Sequence, residues 1–583
     1  MGTALNIQAQ EQLLGRWPRR LLHVPSMTSF EWQPGNRYGP TAEPAYNAIT
    51  YTWGRWKLKG GEQPDVFPLP IYGVAWEIPR VDPSCFTTHQ LRAAILTATS
   101  KVKALGVPGE TTPVDFVWLD IACIDQRWGE PTSAAELGRQ AVIFKHAQNV
   151  FTWLHTLDRP AFASVMAAIV ESASAAVSAV DPRSPDPPAA RAALRLLDDC
   201  TRRFFADPWF SSLWTLQEAF LRPDAVVMTS DACVPPRPDA PAYHVSMWDV
   251  IAELEQIQLS AALRETAPGI YDRLLSRFQK TGWASLFTGH PLATYLAASN
   301  RTAKRAEDRV YGIQQIFGFR VGISAVDAVP GSHFSLAQLE DQLGEQLLAR
   351  LPIISQYHVF TEPVVLGRGW LVSSSKSVLP DLDGHDVAPT APVSRPAAAV
   401  SGPDEEDLGQ EELAMCTLSV RRVGGLSWGH FAGRACDFHV LAERSRQFET
   451  SYPFSDELFE EMPFFRVHLD ATEELGEYKG PNPNASGPER HRPTVDKLLK
   501  RFDGQARKDL KVLLLGRMST DRAAAMVGLV VLRRFGQGVG HFYHRLGLCT
   551  WLIAYTEIGG EPLDTSVFNG DGEHWKSCSG LFG

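Results

Sequence analysis

Phe116-Val117-Trp118-Leu119-Asp120-Ile121-Ala122-Cys123-Ile124-Asp125-Gln126 is the stretch from which the fold can be read. Phe116 to Leu119 is an unbroken apolar run, as expected of a strand covered on both faces. The run ends in Asp120, and Asp125 and Gln126 follow closely. In open α/β sheets, ligands sit beyond the carboxyl ends of the strands. These three polar residues therefore form either a ligand-binding edge or turns and a helix cap.

The flanking chain repeats the pattern. Upstream, Arg19 to Val24 is a short strand. Tyr46 to Gly54 is another, with Ile49, Tyr51 and Trp53 on one face at period two. Thr88 to Leu105 reads as a helix through Leu91, Ile95 and Val102. Downstream, Ser133 and Glu136 form a capping box for a helix that carries Leu137, Ala141 and Phe144. Val150 to Leu154 is a strand. Helices from Ala161 to Val180 and from Arg191 to Phe205 are separated by the breaker Asp181 to Pro188. Ala225 to Met228 supplies a last strand. This alternation predicts a parallel sheet with helices on both faces, in which the strands at Ile49, Val117 and Phe151 are neighbours.

Before that last strand comes Pro208-Trp209-Phe210-Ser211-Ser212-Leu213-Trp214-Thr215-Leu216-Gln217-Glu218. Asp207 can cap a helix here, with Pro208 at its first position. Phe210, Leu213, Trp214, Gln217 and Leu221 share an inward stripe, and Glu218 stands at its border. A carboxylate there is either a boundary residue that pairs with a neighbour or a partly desolvated reactive acid.

The 583 residues are enough for three or four domains. A net charge of -10 argues against a general nucleic-acid binder. The eight cysteines are scattered without a Cys-x-x-Cys pair, so no zinc or redox motif is indicated. They read as reduced thiols of a cytosolic protein. The N-terminus shows no apolar signal core. The Ala161–Val180 run contains Glu171 and has charged flanks, which predicts a packed helix and no membrane span. From about Tyr243 to Leu351 the pattern is helical. Residues 383–412 are rich in Pro, Ala, Ser and acid and read as a mobile loop. The apolar runs Leu418 to Val423, Val512 to Leu515, Val527 to Leu532 and Leu546 to Ile553 predict a β-rich C-terminal region.

The motifs resemble those of a known family. Tyr46 to Gly54 resembles the opening motif of the HET (heterokaryon incompatibility) domain, and Trp118 to Gln126 its second. Glu136, Gln140, Ala147 and Val150 to Leu154 match the helix and strand that follow. Trp209-Phe210, Trp214 and Gln217-Glu218 resemble the third motif. Arg305 to Ile313 looks like a helix common behind fungal HET domains, with Ala306-Glu307-Asp308 in place of the usual Asp-Pro-Arg. Arg545 to Trp551 is similar to a terminal β segment of the same proteins. Thr50 stands where Ser is usual.

The resemblance implies a fungal-type cytoplasmic protein of non-self recognition and regulated cell death. Residues 1–45 would lead into a HET domain at 46–232. A helical region at 240–350 and a mixed, β-rich region at 351–583 would follow. HET domains are similar in architecture to TIR domains, some of which cleave NAD through a Glu in a Trp-x-x-x-Glu context. Trp214 and Glu218 match that spacing. The resemblance thus implies a TIR-like parallel sheet, Glu218 as catalytic residue, and NAD as a substrate with no cofactor or metal. Tyr51, Trp53, Asp120, Asp125, Gln126 and Trp214 would surround the substrate. Tyr51 or Trp53 could stack on a ring of NAD, but the pair reads first as core aromatics beside the sheet. The alternative is a scaffold that self-associates through the HET domain and recruits an unknown protein partner without chemistry. A third class, hydrolysis at Ser427 in Gly425-Leu426-Ser427-Trp428-Gly429, lacks the helix that a nucleophile elbow needs, so that stretch reads as a glycine-rich turn.

Overall fold

The computed structural model describes residues 13–52, 54–58, 63, 65–103, 112–127, 131–258, 260–288, 291–326, 328–329, 331–379, 412–451, 465–472, 475, 488–504, 506–519, 524–536, 539–552 and 566–583. The proposed loop at 383–412, apart from Glu412, lies outside them, as does Trp53. The described chain forms two compact units, one up to Glu340 and one from Asp341 onward.

The first unit is built on an eight-stranded sheet of order β4-β3-β2-β1-β6-β5-β7-β8. Strands β1 (Arg20–His23), β2 (Thr28–Gln33), β3 (Arg37–Tyr38) and β4 (Thr41–Ala42) form an antiparallel meander. Strands β5 (Tyr46–Thr50), β6 (Phe116–Trp118), β7 (Val150–Trp153) and β8 (Val226–Met228) form a parallel block. Every residue of the four parallel strands is buried, which is why β6 and β8 read as continuous apolar runs, while β5 and β7 bury the polar Asn47, Thr50 and Thr152 as well. Asn47 registers with Val117, and Ile49 with Phe151. The predicted neighbours are therefore neighbours. The meander joins through the antiparallel pairing of β1 with β6, so the sheet is mixed.

The helix Arg159–Ser178 is long and apolar enough to cross a membrane by length and composition. In the fold it packs against the helices Pro187–Phe204 and Met247–Gln258, burying Phe162, Val165, Met166 and Ile169. Three boundaries differ from the expectation. The helix expected to reach Leu105 ends at Thr97. Pairing of the first motif stops at Thr50, the last residue in register with β7. Ser133 and Glu136 do not cap: Ser133 lies inside the helix Pro131–Leu137 and donates to the Asp125 carbonyl at 2.6 Å. Glu136 accepts the Arg19 amide at 2.8 Å and the Arg139 guanidinium at 3.2 Å. A buried ion pair thereby ties the N-terminal segment to this helix.

The second unit is the β-rich part. Strands β9 (Val359–Phe360) and β10 (Ser377–Val378) pair with each other. Strands β11 (Glu412–Ala414), β12 (Thr417–Val423), β13 (Leu426–Asp437), β14 (Phe465–Leu469), β15 (Leu510–Ser519), β16 (Ala524–Gly536), β17 (Gly540–Leu552) and β18 (Lys576–Phe582) form one sheet. Five of them close into a barrel in the order β15-β16-β17-β18-β13, because β13 also pairs with β15. Phe431, Leu513, Leu515, Val527, Leu529, Leu548 and Phe582 share one core. A second core packs the helices Phe438–Ser451 and Pro488–Arg501 on the sheet. Arg545 is buried and donates to Asp470 Oδ2 and Gln356 Oε1, each at 2.9 Å, and to the His358 carbonyl.

Ser427 sits in β13 opposite Arg422, just after a two-residue turn in which Gly424 and Gly425 have φ of 62° and 79°. Two positive φ angles suit the twist of a tight hairpin. The strand runs on to Asp437, so this is the geometry of a hairpin and not of a nucleophile elbow.

Candidate functional site

The parallel strands end at one edge of the sheet, and the chain beyond them brings several polar residues together there. Tyr51 follows β5, and its hydroxyl donates to Asp120 Oδ1 at 2.5 Å. Asp120 opens the short helix Asp120–Cys123 after β6, and the same oxygen accepts the Ile121 amide at 2.7 Å. Thr50, the last residue of β5, donates its hydroxyl proton to Glu218 Oε2. Its oxygen accepts the Trp209 indole N–H at 2.9 Å. A relay therefore runs from Trp209 through Thr50 to Glu218 between buried side chains.

The stretch that carries Trp209 and Glu218 is not one helix. A 3-10 turn, Pro208–Ser211, is followed by extended Ser212 and then by the helix Leu213–Leu221. Asp207 does cap the turn: Oδ1 accepts the Trp209 amide at 2.9 Å, and Oδ2 holds the amide and hydroxyl of Thr156 at 3.0 and 2.9 Å. The break arises because Ser212 bridges to Thr302. Leu213 N donates to the Thr302 carbonyl at 3.1 Å, and Thr302 N to that of Ser211 at 2.9 Å. The rotation at Ser212 moves the apolar stripe. Glu218 becomes interior, 9% exposed, while Trp214 is half-buried against Gly312.

Burial sets the electrostatics. Desolvation pushes the Glu218 carboxyl up to about 8, with the Asp120 charge acting in the same direction. The Thr50 hydrogen bond and the Arg301 charge oppose it. Burial likewise pushes Asp120 up to about 7, against the hydrogen bonds from Tyr51 and the Ile121 amide. Burial and the adjacent Asp120 hold the Tyr51 phenol well above its ordinary value. Two carboxyl groups thus keep their protons near neutrality, and a nearby cation would release them.

The other expected site residues sit differently. Asp125 grips Arg127, with Oδ2 at 2.6 Å from Nη2. Burial works against ionisation of Asp125, but Arg127 outweighs it and lowers its pKa. Gln126 donates to the carbonyls of Asp120 at 3.2 Å and Ile124 at 2.9 Å, bracing the turn. The Tyr51 ring stacks on Trp56 with centroids 5.8 Å apart, and Trp56 and Phe86 continue that aromatic layer. Its hydroxyl, rather than its face, reaches the acids. Gln217 is a tie: it donates to Gln140 Oε1 at 3.1 Å and accepts the Gln315 amide at 3.0 Å. Among the described residues, no group of three or more His, Cys, Asp or Glu is arranged to hold a metal ion.

The span from Tyr46, the first residue of β5, to Glu218 matches the family described as Heterokaryon incompatibility protein (HET). The chain carries a HET domain. No curated protein and no solved structure matches the chain. The HET match contains all of Thr50, Tyr51, Asp120, Trp209 and Glu218. Sequence reasoning missed Thr50 and Trp209 as the residues that hold Glu218, although both lie inside the HET motifs. It also missed Arg301, which lies beyond the HET match and carries no motif signal.

Proposed function

We propose that this HET-domain protein acts in non-self recognition and regulated cell death by cleaving NAD to nicotinamide and ADP-ribose at Glu218. The observation that supports this most is the buried Glu218 carboxyl, held by the Trp209–Thr50 relay one helical turn beyond Trp214. Trp214 and Glu218 stand in the Trp-x-x-x-Glu context through which some TIR domains, similar in architecture to HET domains, cleave NAD.

The chemistry asks little of the protein. The ribose C1′–N bond breaks, and its electron pair passes to the pyridinium nitrogen. Nicotinamide leaves neutral, so no general acid is required. The positive charge left on the ribose resembles that of glycoside cleavage and is stabilised by one fixed carboxylate. Water adds at C1′ and loses a proton to Glu218 or to solvent. With its raised pKa, Glu218 is largely protonated before NAD arrives. The cationic pyridinium favours the ionised form, so binding and deprotonation are linked. Asp120, whose charge acts on Glu218, and the Tyr51 hydroxyl bonded to it would be further polar partners for the ribose. On this reading NAD is a substrate, and the protein is cytoplasmic, self-associates through the HET domain and answers to a protein trigger.

The low exposure of Glu218 favours a second reading, a scaffold in which this carboxyl only fastens the helix to β5. The test is nicotinamide release from NAD by the concentrated full-length protein, with Glu218→Gln as control. Release that disappears in the variant supports catalysis. Wild-type toxicity in a folded Glu218→Gln protein that never releases nicotinamide favours the scaffold.

A further inference from the structure

The junction at Ser212, on which the placement of Glu218 depends, is held by residues outside the HET match. Next to Thr302 lies Arg301, 1% exposed. Its Nη1 donates to the Ser212 carbonyl at 2.9 Å and to Thr215 Oγ1 at 3.0 Å. Its Nε donates to the Thr281 carbonyl at 2.6 Å. The guanidinium carbon stands 5.8 Å from the centre of the Trp209 ring. Arg301 therefore touches both the indole that starts the relay to Glu218 and the first turn of the helix that bears it. Its Nη2 is buried and makes no hydrogen bond. A buried cation with an unsatisfied donor is expensive, so its retention calls for a use.

The charged surroundings are mixed. Arg55 holds the same junction, donating to Ser211 Oγ at 2.7 Å, to the Ser211 carbonyl at 3.0 Å and to the Thr302 hydroxyl. Asp207 acts on Arg55, and Arg55 in turn disfavours the charge on Arg301. Glu218 acts on Arg301 in the opposite sense. Asp120 completes the acidic side, with the neutral Tyr51 hydroxyl donating to it.

We propose that Arg301 is a positioning residue for Glu218: it fixes the angle between the Pro208–Ser211 turn and the Leu213–Leu221 helix, and supplies the positive charge that meets the Glu218 carboxylate on ionisation. The catalytic consequence rests on the NAD-cleavage reading, whereas the coupling of the two side chains does not. Nη2 is left without a hydrogen bond, and the charges of Arg301 and Glu218 act on each other. Residues 46–218 alone then leave the site incomplete, and the segment at 300–302 finishes it.

The test uses full-length Arg301→Gln and Arg301→Lys. The titration of Glu218 is followed by carbon NMR of labelled glutamate, assigned with Glu218→Gln, beside the pH profile of NAD cleavage and thermal melting. In Arg301→Gln the Glu218 midpoint rises by roughly one unit or more, and the onset of cleavage moves to higher pH with it. In Arg301→Lys the charge is kept, so the midpoint stays near wild type. The rate at saturating NAD still falls, because an ammonium cannot span Ser212, Thr215 and Thr281. An unmoved midpoint in folded Arg301→Gln overturns the proposal. If that variant does not fold, a wild-type midpoint together with a wild-type rate in Arg301→Lys overturns it. Should no form cleave NAD, the catalytic reading fails, and the midpoint shift still decides the coupling.

Discussion

Replacing Glu218 by Gln should make the protein more stable above neutral pH, although a hydrogen-bonded buried side chain is being changed. Gln keeps an oxygen to accept the Thr50 hydroxyl and resembles the neutral acid that the fold prefers. The folded carboxyl titrates near 8, against 4.5 for an ordinary glutamate. A raised acid contributes its full stability below about 4.5 and loses it as pH rises towards 8, because the unfolded chain gives up its proton first. The slope is about 1.4 kcal/mol per pH unit. Across this window the wild type loses on the order of 5 kcal/mol that Glu218→Gln keeps. At roughly 2 °C per kcal/mol, the difference in melting temperature grows by roughly 10 °C. The assay is thermal unfolding of both full-length proteins from pH 5 to pH 9. Taking the difference cancels every group they share, apart from a downward shift of Asp120 once its neighbour is uncharged. A boundary glutamate with an ordinary pKa behaves otherwise, costing about 1 kcal/mol at every pH. A melting difference that stays flat from pH 5 to pH 9 would refute the reasoning, and with it the buried-acid account of the site.

Two further outcomes are expected. Thr50→Val strands the Trp209 indole N–H and removes the bond that opposes the rise of Glu218. It should cost about 1–3 kcal/mol, measured by denaturant unfolding, and move the Glu218 midpoint further up. His358 is fully buried, and burial with the Arg545 charge holds its pKa well below the ordinary value against a contact with the Ser355 backbone. The wild type should then lose stability as pH falls below about 6.5, where only the unfolded chain takes up the proton. His358→Leu should escape that loss, and melting curves at pH 5 and pH 7.5 check it.

The parallel block was legible because β6 leaves an unbroken apolar run, and β5 and β7 are rich in aromatic and β-branched residues between helical segments. Three ordered motifs then gave the HET domain and brought Tyr51, Asp120 and Glu218 into view. The break at Ser212 could not be read there. Residues 207–221 form a sound helical pattern, and the chain that interrupts it, Arg301-Thr302, arrives from a distant segment with no periodicity of its own. The same cause undid the capping box: Glu136 prefers a buried Arg139 and the Arg19 amide to a local backbone group. Asp125 and Gln126 are polar residues after a strand, but a neighbouring guanidinium and two carbonyls satisfy them. Sequence spacing marks where polar groups cluster, and tertiary contacts decide which of them remain available.

The closed barrel of the second unit has a consequence for synthesis. β18 lies between β17 and β13, antiparallel to one and parallel to the other. β13 emerges from the ribosome long before β18 does. Until β18 arrives, β13 presents unpaired backbone from Gly429 to Ala435, while β17, already paired with β14 from Gly547 to Trp551, is open at Phe542 and Tyr543; such an edge recruits strands from other chains. The contact that closes the barrel is thus among its most distant in sequence, and such contacts form late and slowly. A chain that stops short of residue 576 should therefore associate with other copies more readily than one that includes β18.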